Sequence, residues 1–217
     1  MAHSEQQKAK IAMDIALTCA RQIAQKGLKG VSSRTLAAEM GMSPAWLYRS
    51  YKEGFDSIVL AANSLTLRDL DEQLSATAAE HAEESVADRF LALALTYLRF
   101  SIENTRRWAA LFEHQMPEGR ELSPEHKREH YVLFRHIEAP LSEILPDLDE
   151  AMLRATARTI YSSVHGIVSL SLQGRLDRVP LPLLEDQLRM VTKAFAAGYA
   201  NPGLPHPSKQ PKAASAA

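Results

Sequence analysis

Residues 31–51 read VSSRTLAAEMGMSPAWLYRSY, and the local chemistry of this stretch decides the fold. Ser32 is a good N-cap, because its hydroxyl can accept a backbone N–H that the first helical turn leaves without a partner. The spacing predicts a short helix over 33–39, with Leu36 and Met40 on one face. Gly41 suits the left-handed position just past a helix end. Ser43-Pro44 then opens a second helix, in which the serine can cap and a proline at the first position gives up no helical hydrogen bond. Leu47 is expected to face inward, toward Leu36 and Met40. Two short helices joined by a tight glycine turn form a helix-turn-helix, whose second helix can enter the major groove of duplex DNA. Its exposed positions are expected to be Pro44, Ala45, Trp46, Tyr48 and Arg49. Arg49 can bind phosphate or guanine, Tyr48 can donate to phosphate, and Trp46 can press a ring edge on a thymine methyl. The plain alternative is a helical hairpin inside a core, and three large outward groups on so short a helix count against it.

Charge supports the same end of the chain. Residues 1–54 hold eight Lys/Arg and four acids, a net +4, whereas the whole chain of 217 residues carries -1. A basic module on an acidic body is the layout of a chain that offers one end to a polyanion. Apolar residues make up 46% and charged residues 24%, which excludes a disordered chain and supports a real core. No apolar run approaches the roughly 18 residues that span a bilayer. The N-terminal residues 1–7 contain no hydrophobic signal segment, so a cytoplasmic location is expected. The single Cys19 rules out an internal disulfide and a zinc site built from several thiolates. No dinucleotide, P-loop or nucleophile-elbow motif occurs, so no cofactor and no enzymatic activity are expected.

Beyond the hairpin the periodicity is helical nearly throughout. Ile11, Ile15, Cys19 and Ile23 repeat every four residues, and Phe55, Ile58, Val59, Ala62 and Leu65 form a second stripe. Further stripes are Val86–Phe90–Leu93–Tyr97, Trp108–Leu111–Phe112, Tyr131–Phe134–Ile137–Leu141–Ile144, Met152–Thr156–Ile160–Val164–Val168 and Leu184–Leu188–Val191–Phe195. The expectation is an all-α chain of about nine helices. Pro140 and Pro146 are expected to kink or end the helix that carries Tyr131, and Gly174 with Pro180 and Pro182 separates the last two helices. Residues 201–217, with their run of prolines and no apolar stripe, are expected to form a disordered tail.

Residues 8–66 resemble the DNA-binding domain of TetR-family transcriptional repressors. The carriers are Ala16, Ala20, Gly27, Ser32, Arg34, Leu36-Ala37, Gly41, Ser43, Leu47-Tyr48, Tyr51 and the stretch Phe55–Leu60. The resemblance implies an all-helical homodimer, with a helical ligand-binding and dimerisation domain over 67–200, a palindromic double-stranded operator and a small-molecule effector. It implies DNA contacts from Ser32, Ser33, Arg34, Ser43, Pro44, Ala45, Trp46, Tyr48, Arg49 and Lys52. Two positions depart from the family: Ser50 stands where a His usually precedes the aromatic, and Gly54 where a phosphate-binding Lys is common. Lys52 is the candidate substitute for that lysine, and a lysine placed at 54 is expected to add one phosphate contact. Tyr161-Ser162-Ser163-Val164-His165-Gly166 resembles the Trp-x-x-x-His-Gly segment of one group of TetR-type C-terminal domains, with Tyr for Trp. Residues 97–114 are similar to that group as well.

Three other features bear on function. Phe100, Trp108, Phe112, Met116, Phe134, Tyr161 and His165 are the candidate walls of a ligand pocket, which needs an apolar lining and a few placed polar groups. The helices over 152–172 and 183–199 carry the small residues Ser162, Ser163, Gly166, Ser169 and Ser171, which allow close helix approach and fit a dimer interface. His126-Lys127-Arg128-Glu129-His130 matches H-x-x-E-H, so a metal-binding protein or enzyme using His126 and His130 is the rival reading; a solvated first helical turn is the expected one.

Overall fold

The structure is a computed structural model that describes residues 5–173 and 179–201. Of the expected tail over 201–217, residues 202–217 lie outside the described residues, as does Gly174. Among the described residues ten α-helices follow one another: α1 Glu5–Lys26, α2 Ser33–Glu39, α3 Pro44–Ser50, α4 Phe55–Glu80, α5 Val86–Glu103, α6 Thr105–Glu113, α7 Pro124–Val132, α8 Arg135–Ile144, α9 Glu150–Leu172 and α10 Leu181–Ala200. A 3-10 turn, Leu28–Gly30, follows α1. Among the described residues there is no strand, and no helix is long and apolar enough to cross a membrane.

The chain forms two compact units, one drawn from Met1–Glu72 with Phe100–His130, the other from Gln73–Arg99 with Tyr131–Ala217. The segment that contains α6 and α7 thus packs with the N-terminal helices. The core of this first unit is Ile15, Cys19 and Ile23 of α1, Leu36 and Ala37 of α2, Leu47 of α3, Ile58, Val59 and Ala62 of α4, and Ala110 of α6. The four-residue stripe of α1 produces it directly, since i, i+4 and i+8 lie on one helix face. Cys19 is fully buried, and burial pushes its thiol up to about 12, the behaviour of a small hydrophobe. Arg106 of α6 donates to the carbonyl of Gln25, so a cation satisfies the C-terminal end of α1. Asn63 of α4 donates 3.3 Å to the Ala110 carbonyl of α6.

In the second unit Phe90 of α5, Leu141 and Leu145 of and after α8, Ala157 and Ile160 of α9, and Ala196 of α10 form a buried cluster. The expected stripe Thr156–Ile160–Val164–Val168 is the buried face of α9, and Asp149 caps that helix by accepting the Met152 N–H at 2.9 Å. One expectation fails here. The helix carrying Tyr131 ends at Val132, and Pro140 sits buried inside a separate helix, α8. The apolar spacing runs in phase across the break, so periodicity alone joined two helices into one.

Candidate nucleic-acid interface

Helices α2 and α3 have the bounds that their caps and turn residues demand. Ser32 Oγ accepts from the Thr35 N–H at 3.2 Å, and Thr35 Oγ1 accepts from the Ser32 N–H at 3.0 Å, a complete capping box. At the other end Met42 N–H reaches the Ala37 carbonyl at 2.9 Å and Gly41 N–H the Ala38 carbonyl at 3.3 Å. This is the paired closure of a Schellman motif, and Gly41 takes the required positive φ of 64°. Pro44 occupies the start of α3, but Ser43 makes no side-chain cap bond, contrary to expectation. Leu36 and Leu47 are both 0% exposed, so each short helix is pinned by one leucine.

A polar hub that was not read from sequence orients α2 on α1. Gln22, 1% exposed, donates to the Thr35 carbonyl at 3.0 Å and to Glu39 Oε2 at 2.5 Å, and accepts from Thr35 Oγ1 at 2.8 Å. Arg21 closes on Glu39 Oε1 through two nitrogens at 3.1 and 2.7 Å. These bonds hold the Glu39 carboxyl below the usual carboxylate range, the Gln22 donor contributing most and Arg21 next. A glutamine inside an alanine- and isoleucine-rich stripe was the available signal, because a buried amide needs partners. Tyr51, just past α3, donates its hydroxyl to the Ala12 carbonyl of α1 at 2.9 Å, and burial pushes that phenol up to about 12.

With this scaffold fixed, Ser32, Arg34, Ser43, Pro44, Ala45, Tyr48, Arg49 and Lys52 are exposed. Ala45, Tyr48, Arg49 and Lys52 follow an i, i+3, i+4, i+7 spacing opposite Leu47, one face running off the end of α3. Ser33 is half-buried. Trp46 does not stand outward as expected: it is half-buried and packs against the core around Leu47. A large ring beside a buried leucine lowers its exposed apolar area by lying on the core. Gly54 has φ +96°, so the residue that replaces the family's lysine holds a backbone conformation that L side chains rarely adopt. Its carbonyl accepts from Ser57 Oγ at 2.7 Å at the entry to α4.

The seven pocket candidates divide between the two units. Phe100 and Trp108 are buried, Met116 half-buried and Phe112 exposed in the first unit, where Trp108 and Phe112 meet edge-on at 5.4 Å. Phe134, Tyr161 and His165 come together in the second unit, around a residue not singled out from sequence, Tyr97 of α5. The Tyr97 hydroxyl lies 2.8 Å from His165 Nδ1 and 3.4 Å from the Tyr161 hydroxyl. Tyr161 stacks on His165 at 5.7 Å and meets Phe134 edge-on at 5.3 Å. Burial lowers the His165 pKa and raises that of Tyr161. Tyr97 belongs to the stripe Val86–Phe90–Leu93–Tyr97, and a phenol on such a stripe implies a polar partner inside.

His126 and His130 are not a solvated first turn. His126 is 5% exposed; its Nδ1 lies 3.1 Å from Glu129 Oε2 and 3.4 Å from Ser64 Oγ of α4, and Ser64 donates to Glu129. The His126 and His130 rings meet edge-on at 5.1 Å. Among the described residues no three His, Cys, Asp or Glu side chains are grouped to hold a metal ion. The segment instead fastens α7 to α4.

Residues 90–195 match the family described as "Tetracyclin repressor-like, C-terminal domain". Solved structures share the fold over most of the chain. A protein with unknown function from Rhodococcus sp. RHA1 has a TM-score of 0.66 at 19% identity, covering 88% of this chain and 96% of its own. A TetR transcriptional regulator from Rhodococcus sp. RHA1 has 0.59 at 16%, with 88% and 97% covered. A TetR-family transcriptional regulator from Streptomyces coelicolor has 0.59 at 20%, with 90% and 81% covered. No curated protein matches the sequence. The chain thus sets a capped helix-turn-helix ahead of a segment that matches the TetR-type C-terminal domain.

Proposed function

We propose that the protein is a homodimeric, DNA-binding transcriptional repressor, not an enzyme, that leaves a palindromic operator when a small molecule binds its C-terminal domain. The observation that carries this reading is the outer face of α2 and α3: Arg34, Tyr48, Arg49 and Lys52 are exposed around two short helices whose inner faces are fixed by Leu36 and Leu47. Arg34, Arg49 and Lys52 hold no carboxylate among the described residues, whereas Arg21 is committed to Glu39. They are therefore available to phosphate, while Ser43, Pro44, Ala45 and the exposed edge of Trp46 lie at the end of α3 that meets bases in helix-turn-helix readers. We assign residues 8–66 to DNA reading and 67–200 to ligand binding and dimerisation, and place the protein's work in the cytoplasm.

Dimerisation through α9 and α10 is supported by what those helices leave uncovered. Leu170, Leu183 and Met190 are 49%, 51% and 69% exposed, and α9 carries the small residues Ala155, Ser162 and Ser163. A two-fold packing of these helices forms a four-helix bundle and removes that apolar area from water. Two recognition helices then meet half-sites about 34–36 Å apart, or a multiple of it. An effector that favours a dimer with another spacing weakens DNA by the same factor by which DNA weakens the effector. The test is anisotropy of a labelled palindromic duplex against salt. Binding should weaken steeply with salt, and replacing Arg34, Arg49 and Lys52 together by Ala should flatten the slope by about 0.9 for each phosphate that is no longer neutralised. A slope that these replacements leave unchanged contradicts the assignment.

A further inference from the structure

The second unit contains a cavity of about 300 Å³ between the end of α4, α5 and α8, apart from the aromatic cluster around Tyr97. Arg89, Arg135, His81 and His136 contribute to its wall, together with Thr77 and apolar surface from Leu93 and its neighbours; no Asp or Glu lines it. Four lining groups can donate hydrogen bonds or carry positive charge, and two of them already meet carboxylates outside the lining, Arg89 with Glu143 and His81 with Glu84.

The polar groups are built into the fold. The Arg89 side chain is only 16% exposed, and its guanidinium holds Glu143 at 2.6 Å. That glutamate is 53% exposed, outside the cavity lining, and acts as a placeholder carboxylate on a half-sunk arginine. Arg135 reaches the Ser75 hydroxyl at 3.4 Å and brings to the wall a planar fork of donors, the shape that matches a carboxylate. His81 Nδ1 is shielded from water and lacks a hydrogen bond: Glu84 Oε1 is 2.9 Å away but outside bonding geometry. Thr77 is already satisfied by Thr96 at 2.8 Å, so it shapes the wall.

We infer that this cavity binds a small organic carboxylate, its carboxylate on Arg89 and Arg135 and its short apolar body against Leu93. Its volume stands at the lower end of ligand pockets, about 300–1,000 Å³, which limits the body to a short chain or one ring. The site stands on its own as a binding site; its role as the effector site rests on the regulatory reading above.

The test is titration calorimetry of the full-length protein without DNA, using the n-alkanoates from acetate to octanoate and benzoate, each beside its uncharged amide. At least one acid should bind, and its amide should bind at least tenfold more weakly. Arg135→Ala, at an exposed position, should weaken the acid by about tenfold, the order expected for one charge-assisted hydrogen bond. Glu143→Gln should tighten it, because Arg89 loses its placeholder. Thermal melts establish that both variants fold. The inference is overturned if no acid of the panel binds at millimolar concentration, if the amides bind equally well, or if both folded variants leave acid affinity unchanged. An acid that binds as described but leaves DNA affinity unaltered supports the site and overturns its effector role.

Discussion

Trp46 and Tyr48 are two residues apart on α3 and have different tasks. Trp46 packs half-buried on the core, so Trp46→Ala removes packing area and, on the proposed reading, a base contact. It should lower folding stability by about 1–3 kcal/mol, below the cost of a fully buried aromatic, and should relax base preference as well. Tyr48, 37% exposed, should behave differently: Tyr48→Phe should leave stability unchanged and weaken cognate and scrambled duplexes alike. Denaturation and binding measured on both variants separate the two roles. Gly54 supplies a second residue-level prediction, in which the backbone overrules the side chain. Sequence alone favours Gly54→Lys as an added phosphate contact. At φ +96° a lysine costs about 1–2 kcal/mol in strain, so the variant should melt lower, and no net tightening of DNA binding is expected. An unchanged melting temperature with a steeper salt slope would contradict this. Cap and turn residues such as Ser32 and Gly41 were legible in sequence because their demands are local. The φ of Gly54 was not, since glycine permits either sign and only the path from Tyr51 into α4 selects it.

Among the elements, α7 shows best how a motif misleads. H-x-x-E-H at 126–130 reads as a zinc grip or a solvated turn, and it is a buried fastening of α7 to α4 through Ser64 and Glu129. Burial lowers the pKa of His126, and it brings His130 down to about 4, with the His126 charge adding to the effect. His114, beside Asp56 of α4, is lowered by burial too. An unfolded histidine titrates near 6.5, so between about 6.5 and 4 the unfolded chain takes up a proton that folded His130 refuses. Stability should therefore be fully present above pH 6.5 and fall as the pH drops toward 4. Melting temperature against pH should show this, and His130→Gln should flatten it; a variant as acid-sensitive as wild type would assign the effect to other groups. The element pattern was mostly legible, because stripes such as Ile11–Ile15–Cys19–Ile23 state which face is buried. What periodicity missed was a break in phase, between Val132 and Arg135, and the polar links made across elements by Gln22 and Tyr97. The same stripes could not say which unit an aromatic belongs to.

For the whole molecule, the proposed function depends on two copies holding two recognition helices at one spacing. Met190 is the most exposed large apolar residue on α10, so Met190→Arg should place a charge in the proposed two-fold interface. Sedimentation should then find a monomer that folds normally, and affinity for a palindrome should fall by about 100-fold or more as avidity disappears. A variant that remains dimeric would move the interface elsewhere. The central claim is that the α2–α3 face reads duplex DNA, and selection of bound sequences from a random duplex pool tests it most directly. The account predicts that wild type enriches a palindrome with half-sites centred about one helical turn apart, or a multiple of it, and that Arg49→Ala enriches it weakly or not at all. A wild-type protein that enriches no sequence even at low salt would contradict it.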